Sequence, residues 1–347
     1  MLVDSPPEQR AEAAAAPPTR RAARAVGLLL SVVLLALVAL ASIAIGAKAL
    51  SPDQVWHGLF HASGTYGDVV VDDRLARTVL GLLVGAALGL SGAVLQALTR
   101  NPLADPGLLG INAGASAAVV TALTYCGVTS LTGYVWFAFL GAAAVGALVW
   151  FLGGGRGATP VRLALAGTAI SAALYGYLQA VMLTDGAALA KMRFWTVGSL
   201  ASATDSTTLQ VLPFLAAGTV LALVLARPLN AVEMGDDTAR ALGANLGRTR
   251  ALAMLSAVVL CGAATAACGP IVFVGLMVPH MVRSFTGPDL RWILPYATVL
   301  SPVLLLGADV LGRVVARPSE VQVGIVTAVV GGPVFIFLVR RRRTAQL

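Results

Sequence analysis

Ten runs of apolar residues, separated by short polar segments, restrict the fold of this chain more than any other feature of its sequence. A helix needs ~20 apolar residues to cross the hydrocarbon core of a membrane. The chain is 58% hydrophobic and 12% charged, whereas soluble domains average about 25% charged residues, so a soluble enzyme is excluded. The sequence therefore predicts an all-α polytopic membrane protein with about ten transmembrane helices, at residues 25–47, 77–97, 107–126, 131–152, 161–183, 208–226, 250–268, 270–285, 292–314 and 322–339.

The basic residues orient these predicted helices. Most of the 24 lysines and arginines lie in the segments that share a side with the N-terminus, and cytoplasmic segments carry such an excess. An even number of spans then places both termini in the cytoplasm. Residues 1–24, rich in Ala, Pro and Glu, predict a disordered cytoplasmic tail, residues 25–343 the membrane domain, and residues 344–347 a C-terminal tail. A cleaved signal peptide is the alternative for the first run, but its apolar core would span only ~7–15 residues.

The sequence lacks the groups that an enzyme or a nucleotide-binding subunit needs. Its two lysines, Lys48 and Lys191, do not stand in a phosphate-binding Gly-x-x-x-x-Gly-Lys motif, so we expect no ATP hydrolysis and no cofactor in this chain. Nucleic acid is not an expected partner either, because the basic residues occur in short clusters between apolar runs. His57 and His61 have a spacing that could chelate a metal, but without a third ligand a solvated outer loop is the favoured interpretation.

Ionisable residues are scarce inside the predicted spans. Asp309 is the clearest, and it stands four residues before Arg313, so the two side chains can pair across one helical turn. We therefore predict a structural pair rather than a proton site. Ion-coupled carriers keep several such groups inside the membrane, which disfavours a secondary transporter. The three cysteines, Cys126, Cys261 and Cys268, are interpreted as buried and inert thiols.

Two inner loops carry further candidate functional residues. Asn101 and Leu103 stand beside prolines that break helicity, and non-helical backbone at the membrane edge is tolerated where it lines a cavity or is buried in protein. We predict that they form an inner gate. The loop at about 227–250 contains a short amphipathic helix that ends at a glycine. This helix is predicted to couple the chain to a soluble partner through Asp236, Asp237, Arg240, Leu242 and Gly243.

Short motifs are dispersed in a specific order over roughly residues 50–343. They are Arg74-Leu75-Ala76-Arg77, 92–96, 101–106, Leu109-Gly110, Trp195 with 198–200, 239–243, 269–276, Pro279-His280, Asp309 with Arg313, 324–327 and Gly332-Pro333. In their order and spacing they resemble the FecCD-type permease subunit of bacterial ABC importers for ferric siderophores, haem and cobalamin. One departure is residues 320–324, which lack the proline that the family usually has before the last span.

The resemblance implies a ten-span permease subunit of the bacterial inner membrane that forms a pathway with a second permease, identical or different. Two ATP-binding cassette subunits, which carry ATP and Mg, would dock on the inner face at the loop helix. An extracytoplasmic substrate-binding protein would dock on the outer face, where the family match assigns this role to Arg74, Arg77 and Arg313. Membrane lipid is the remaining expected partner. The expected cargo is a ferric siderophore, with haem or cobalamin as alternatives.

Overall fold

The computed structural model describes residues 18–61, 64–128, 130–154 and 159–344. These residues form fourteen α-helices and one 3-10 turn at Pro106–Leu109, with no β-strand among them. The helices are α1 Pro18–Ala44, α2 Pro52–Phe60, α3 Tyr66–Thr99, α4 Ile111–Tyr125, α5 Leu131–Leu152, α6 Pro160–Thr184, α7 Gly186–Trp195, α8 Asp205–Val224, α9 Ala226–Glu233, α10 Asp236–Ala241, α11 Leu246–Cys268, α12 Val274–Thr286, α13 Leu290–Val315 and α14 Val323–Thr344.

Each of the ten predicted spans falls mainly on one helix, but seven of the described helices are both long and apolar enough to cross a membrane. These are α1, α3, α5, α6, α8, α11 and α13. The predicted span at 270–285 becomes α12, which has only 13 residues. Its start is delayed because Gly269 and Phe273 adopt φ values of 75° and 69°, which belong to turns rather than to a helix. The count of ten spans and the position of the termini stay predictions.

One predicted boundary is wrong, and one predicted span is part of a longer helix. The first helix begins at Pro18, so residues 18–24 are helical rather than part of a disordered tail, because Ala and Arg there favour the helix. Residues 1–17 and 345–347 lie outside the described residues. The predicted span at 77–97 lies inside the longer helix α3, which begins at Tyr66 after a capping box formed by the side chains of Thr65 and Asp68. Among the cysteines, Cys261 and Cys268 are buried as expected, whereas Cys126 is exposed.

The α3 and α11 helices form the centre of the protein. About 78% of the apolar stretch of each is buried, against 11% for α1. Small residues allow this packing, because a Cβ added at Gly85 would lie 2.6 Å from the Cα of Pro302 on α13. A Cβ added at Gly92 would collide with the carbonyl oxygen of Gly275 on α12. Two clusters of charged residues lie towards the two ends of α3, and they contain most of the predicted site residues.

Candidate functional site

The first cluster, which we term the arginine cluster, joins the beginning of α3 to the end of α13. Arg77 donates to both carboxylate oxygens of Asp309, with an Nη2–Oδ1 distance of 2.7 Å and an Nε–Oδ2 distance of 3.0 Å. Arg77 Nη1 also lies 2.7 Å from Glu320 Oε2. The structure contains the predicted pair between Asp309 and Arg313, at 3.1 Å. Arg77 is therefore a second cation on the same fully buried carboxylate.

The arginine cluster also holds the end of α1. Arg313 donates to the carbonyl oxygen and to the hydroxyl of Ser42, both at 2.9 Å. Arg74 donates to the carbonyl oxygens of Ala44, at 2.9 Å, and of Lys48. The last carbonyl groups of a helix have no partner within the helix. These guanidinium groups therefore satisfy the end of α1 and fix it against α3 and α13.

This geometry bears on the prediction that Arg74, Arg77 and Arg313 receive a binding protein. Arg74 and Arg313 are 6% and 2% exposed, and the terminal nitrogens of both guanidinium groups donate hydrogen bonds inside the fold. All three nevertheless line an open cavity of about 510 Å³, together with Lys48 and Glu320. The docking role stays a prediction, and the contacts give the three side chains a structural role in addition.

The second cluster, which we term the loop-helix cluster, attaches α9 and α10 to the end of the helical bundle. Asp236, the first residue of α10, accepts hydrogen bonds from Arg100 at 3.1 Å and from Arg250 at 2.8 Å. Arg100 ends α3, and Arg250 lies in the first turns of α11. Asp236 was predicted to contact an ATPase subunit, but its carboxylate is bound by two arginines of its own chain. It therefore connects the loop helix to two membrane helices.

The opposite face of α10 is open to solvent. Asp237 and Arg240 form an ion pair of 2.9 Å, with side chains that are 100% and 63% exposed. Leu242 is 64% exposed, although it is apolar. Ala239 is buried on the inner face, against Val232 and Leu246. The predicted amphipathic helix is thus present, with an exposed leucine at its end.

Gly243 ends α10 in the way the sequence predicts. Its φ is +78°, a conformation that glycine adopts without steric cost. The Gly243 N–H bonds to the Arg240 carbonyl, and the Ala244 N–H bonds to the Ala239 carbonyl, both at 2.9 Å. These two bonds form a Schellman motif, which places Leu242 on the turn and leaves it exposed.

A further ion pair of the loop-helix cluster, between Glu233 and Arg283, was also not predicted. Glu233, at the end of α9, accepts a hydrogen bond from Arg283 of α12 at 2.7 Å. Burial raises the pKa of Glu233, and the neighbouring Arg283 opposes this rise. The two residues are separated by 50 positions, so no helical spacing relates them. The sequence indicates only that both are charged residues at helix ends.

The predicted gate residues lie between α3 and the 3-10 turn. Arg100 has a left-handed φ of 50°, which ends α3. The Asn101 side-chain oxygen then accepts a hydrogen bond from the Leu103 N–H at 3.0 Å. Both gate residues are exposed, and Leu103 is 38% exposed. Arg100, which binds Asp236 of the loop-helix cluster, is thus the residue directly before the predicted gate.

Asp105 follows the gate residues and caps the 3-10 turn. Its carboxylate accepts a hydrogen bond from the Gly107 N–H at 2.7 Å. Burial raises the pKa of Asp105 from 3.8 to about 6, although this hydrogen bond opposes the rise. Behind it, Asn112 accepts a hydrogen bond from Thr265 of α11 at 2.9 Å. Sequence reasoning missed this buried polar contact between α4 and α11.

The histidine pair lies beside the first turn of α3. His57 Nδ1 lies 3.3 Å from Asp68 Oδ1, and the rings of His57 and His61 are 6.1 Å apart. Within the described ranges, no group of three or more His, Cys, Asp or Glu side chains could hold a metal ion.

Comparison with known proteins identifies the family. The model of the FecCD transport family matches residues 34–341. The chain belongs to the FecCD transport family. This finding confirms the family that the dispersed motifs predict.

Two relatives and one solved structure match most of this chain and most of their own length. The FecCD chain is 47% identical over 328 residues to the ferric enterobactin transport system permease protein FepD of Escherichia coli (strain K12), covering 93% of this chain and 96% of that protein. It is 38% identical to the permease protein FepG of the same strain, also named for ferric enterobactin, covering 84% and 89%. An inward-facing structure of a transporter assigned to the metal-chelate ABC type has a TM-score of 0.80 at 27% identity, covering 90% and 98%.

Proposed function

We propose that this chain is the permease subunit of an ABC importer for a ferric siderophore in the bacterial inner membrane. The observation that carries the proposal is the end-to-end similarity to a permease named for ferric enterobactin. A family match alone would leave haem and cobalamin as equal alternatives. In the proposed complex the chain hydrolyses no ATP, and a separate pair of ATP-binding cassette subunits supplies the energy.

The loop-helix cluster supports a specific route for coupling. The exposed Leu242 would anchor α10 in a groove of the ATPase subunit, with Asp237 and Arg240 forming contacts around it. Movement of α10 would then pull on its inner carboxylate, Asp236, because charge-assisted hydrogen bonds are about twice as strong as neutral ones. The pull would reach α3 through Arg100 and α11 through Arg250.

The same route leads to the proposed inner gate. Arg100 is bonded to Asp236, and the next residues along the chain are the gate residues Asn101 and Leu103. A second connection runs from α9 to α12 through Glu233 and Arg283. Rigid-body movement of α9 and α10 would therefore displace the ends of three helices at once. Rigid-body shifts of packed helices are one way in which a conformational change passes from one site to another.

The proposed partners follow from the two faces of the protein. Two chains of one Escherichia coli strain, both named as ferric enterobactin permeases, resemble this chain, which favours a heterodimer with a second permease. An extracytoplasmic binding protein would present carboxylates to the cavity that Arg74, Arg77 and Arg313 line. Because these arginines also bind within the fold, a carboxylate of the partner would compete with Glu320 rather than meet a free cation.

A secondary transporter is the competing function, and the arginine cluster argues against it. The buried carboxylate of α13, Asp309, is bonded to two guanidinium groups, so its oxygens are engaged in joining α3 to α13. A carboxylate engaged in this way has a structural role, whereas ion-coupled carriers keep several ionisable groups inside the membrane for transport. The ATP-driven importer therefore remains the better proposal.

Reconstitution tests the proposed function directly. The permease, its second permease, the ATPase and the binding protein are placed in liposomes, and uptake of radiolabelled ferric enterobactin is measured. We expect uptake that requires ATP and the binding protein, with ferric citrate, haemin and cobalamin as comparison cargoes. Uptake that continues without the ATPase subunits would overturn the importer. ATP-driven uptake of haemin or cobalamin alone would overturn the siderophore.

A further inference from the structure

A basic cavity lies where the start of α1 meets the start of α13. Its volume is about 500 Å³, and its lining consists of Arg20, Arg21, Arg24, Leu28, Asp289, Arg291, Trp292 and Pro295. Neither the predicted gate nor the two charged clusters use these residues. We propose that this cavity binds the phosphate headgroup of an anionic membrane phospholipid. The cavity lies outside the proposed transport machinery.

The charges of the cavity favour an anion. Its lining contains four arginines and one acidic residue, Asp289. That carboxylate already accepts hydrogen bonds from the side chains of Arg291, at 2.9 Å, and of Asn230, at 2.8 Å. No salt bridge connects Arg20, Arg21 or Arg24 to an acidic side chain among the residues that the structure describes. Within the described part of the chain, these three guanidinium groups therefore share one cavity without an ion-pair partner, and the one carboxylate in its lining is bound by Arg291 and Asn230.

An adjoining cavity provides the apolar part of the site. It has a volume of about 450 Å³ and shares Arg20 and Arg24 with the first, its other lining residues being Ala23, Gly27, Ser31, Phe285 and Tyr296. The Phe285 and Tyr296 rings pack edge to face at 5.3 Å. The Tyr296 hydroxyl donates to the Arg24 carbonyl at 2.7 Å, which holds α1 against α13. The arginines thus stand between a polar cavity and an aromatic one.

The surroundings favour a phospholipid over a soluble anion. Just beyond the cavities, the apolar face of α1 is open, with Leu29 and Leu30 each 63% exposed. A lipid whose phosphate bonds to the arginines could lay its acyl chain along this face. Arginine binds phosphate with two parallel hydrogen bonds, aromatic rings concentrate at the headgroup level, and basic cavities between membrane helices bind anionic headgroups. A soluble phosphate would use the arginines but not the open apolar face.

Lipid retention by the purified full chain tests this proposal. The protein in neutral detergent is mixed with phosphatidylglycerol or phosphatidylcholine of identical acyl chains, and bound lipid is counted by native mass spectrometry. We expect phosphatidylglycerol to bind more tightly, and R20Q/R21Q/R24Q to weaken its binding about tenfold or more. The matched control R162Q/R240Q/R248Q removes three exposed arginines outside the cavity and should retain the lipid.

Single variants and competition with inorganic phosphate complete the test. The single variants R20Q and R21Q should each show a partial loss, which covers the case in which the triple variant does not fold. Excess inorganic phosphate should displace little lipid if the acyl chain contributes. Equal binding of the two lipids, or equal loss in the control variant, would overturn the proposal. Complete displacement by inorganic phosphate would show a soluble-anion site and would also overturn it, without bearing on transport.

Discussion

Arg77 and Asp309, which are 232 residues apart in the sequence, form a buried two-pronged ion pair with an Nη2–Oδ1 distance of 2.7 Å. The pair joins α3 to α13, and Arg313 and Glu320 extend it. Removing one member of a buried pair leaves the other charge uncompensated. The arginine cluster is therefore expected to stabilise the packing of α1, α3 and α13, whether or not a binding protein docks on the cavity that it lines.

The first prediction concerns stability. Asp309→Ala should lower the free energy of unfolding by about 3–5 kcal/mol, because two buried guanidinium groups lose their carboxylate. Asp237→Ala is the matched control, since that carboxylate is fully exposed and such substitutions stay within about 0.5 kcal/mol. Thermal unfolding in detergent checks both. Equal melting temperatures for the two variants would show that the ion pair does not stabilise the fold.

The second prediction separates two neighbouring aspartates of α10. Asp236→Asn should reduce transport-coupled ATPase activity of the assembled complex by about tenfold, because each charge-assisted hydrogen bond contributes ~1.5–3 kcal/mol. Asp237→Asn should have a small effect, since its exposed pair with Arg240 contributes only ~0.3–0.5 kcal/mol. Binding-protein-stimulated ATP hydrolysis is the measurement. If Asp236→Asn retains full stimulation, the loop helix transmits movement by another contact.

The third prediction uses a matched pair of glycines. Both Gly243 and Gly186 have open space for a Cβ, but only Gly243 has a positive φ. Gly243→Ala should cost roughly 1–2 kcal/mol of local strain, displace the exposed Leu242 and weaken coupling. Gly186→Ala should be tolerated. Assembly of the complex and its stimulated ATPase rate distinguish the two variants, and identical rates would remove the glycine turn from the coupling mechanism.

A fourth prediction follows from the raised pKa of Asp105, about 6. Between pH 4 and 6 the folded protein keeps a proton that the unfolded chain releases, so this group makes stability fall as pH rises. At pH 7.5, Asp105→Asn should be more stable than the wild type by about 1–3 kcal/mol, and this advantage should vanish below pH 4. Asparagine can still accept the Gly107 hydrogen bond. Thermal unfolding of both proteins across pH measures this, and a gap that does not change with pH would refute the assignment.

The fifth prediction tests the proposed inner gate. In a background without the exposed Cys126, Leu103→Cys is combined with a cysteine at the equivalent position of the second permease. The two thiols should form a disulfide if these residues face each other across the pathway. Uptake should stop on oxidation and recover on reduction. The variant Leu103→Ser, which cannot crosslink, controls for the substitution itself. Failure to crosslink in every nucleotide state would place Leu103 away from the pathway.

Local sequence patterns predicted the elements of this protein well. The apolar runs predicted the position of most helices, and the Asp236–Gly243 pattern predicted an amphipathic helix that ends at a glycine. The spacing of Asp309 and Arg313 predicted their pair, since residues four apart lie on one helix face. These features depend on residues that are near in sequence, so a single chain is sufficient to infer them.

Only the tertiary structure decided which charges meet. Distant helices pack together and so form ion pairs between residues that are far apart in the sequence. The pairs are Arg77–Asp309, Arg100–Asp236, Arg250–Asp236 and Arg283–Glu233. No periodicity relates such residues, so they could not be predicted from spacing. The partner contacts of Arg74, Arg77, Arg313 and Asp236 stay predictions. The structure adds that each of these side chains also binds groups of its own chain. A buried charge is costly unless an opposite charge pairs with it. The packing of the helices determines which opposite charge lies close enough to do so.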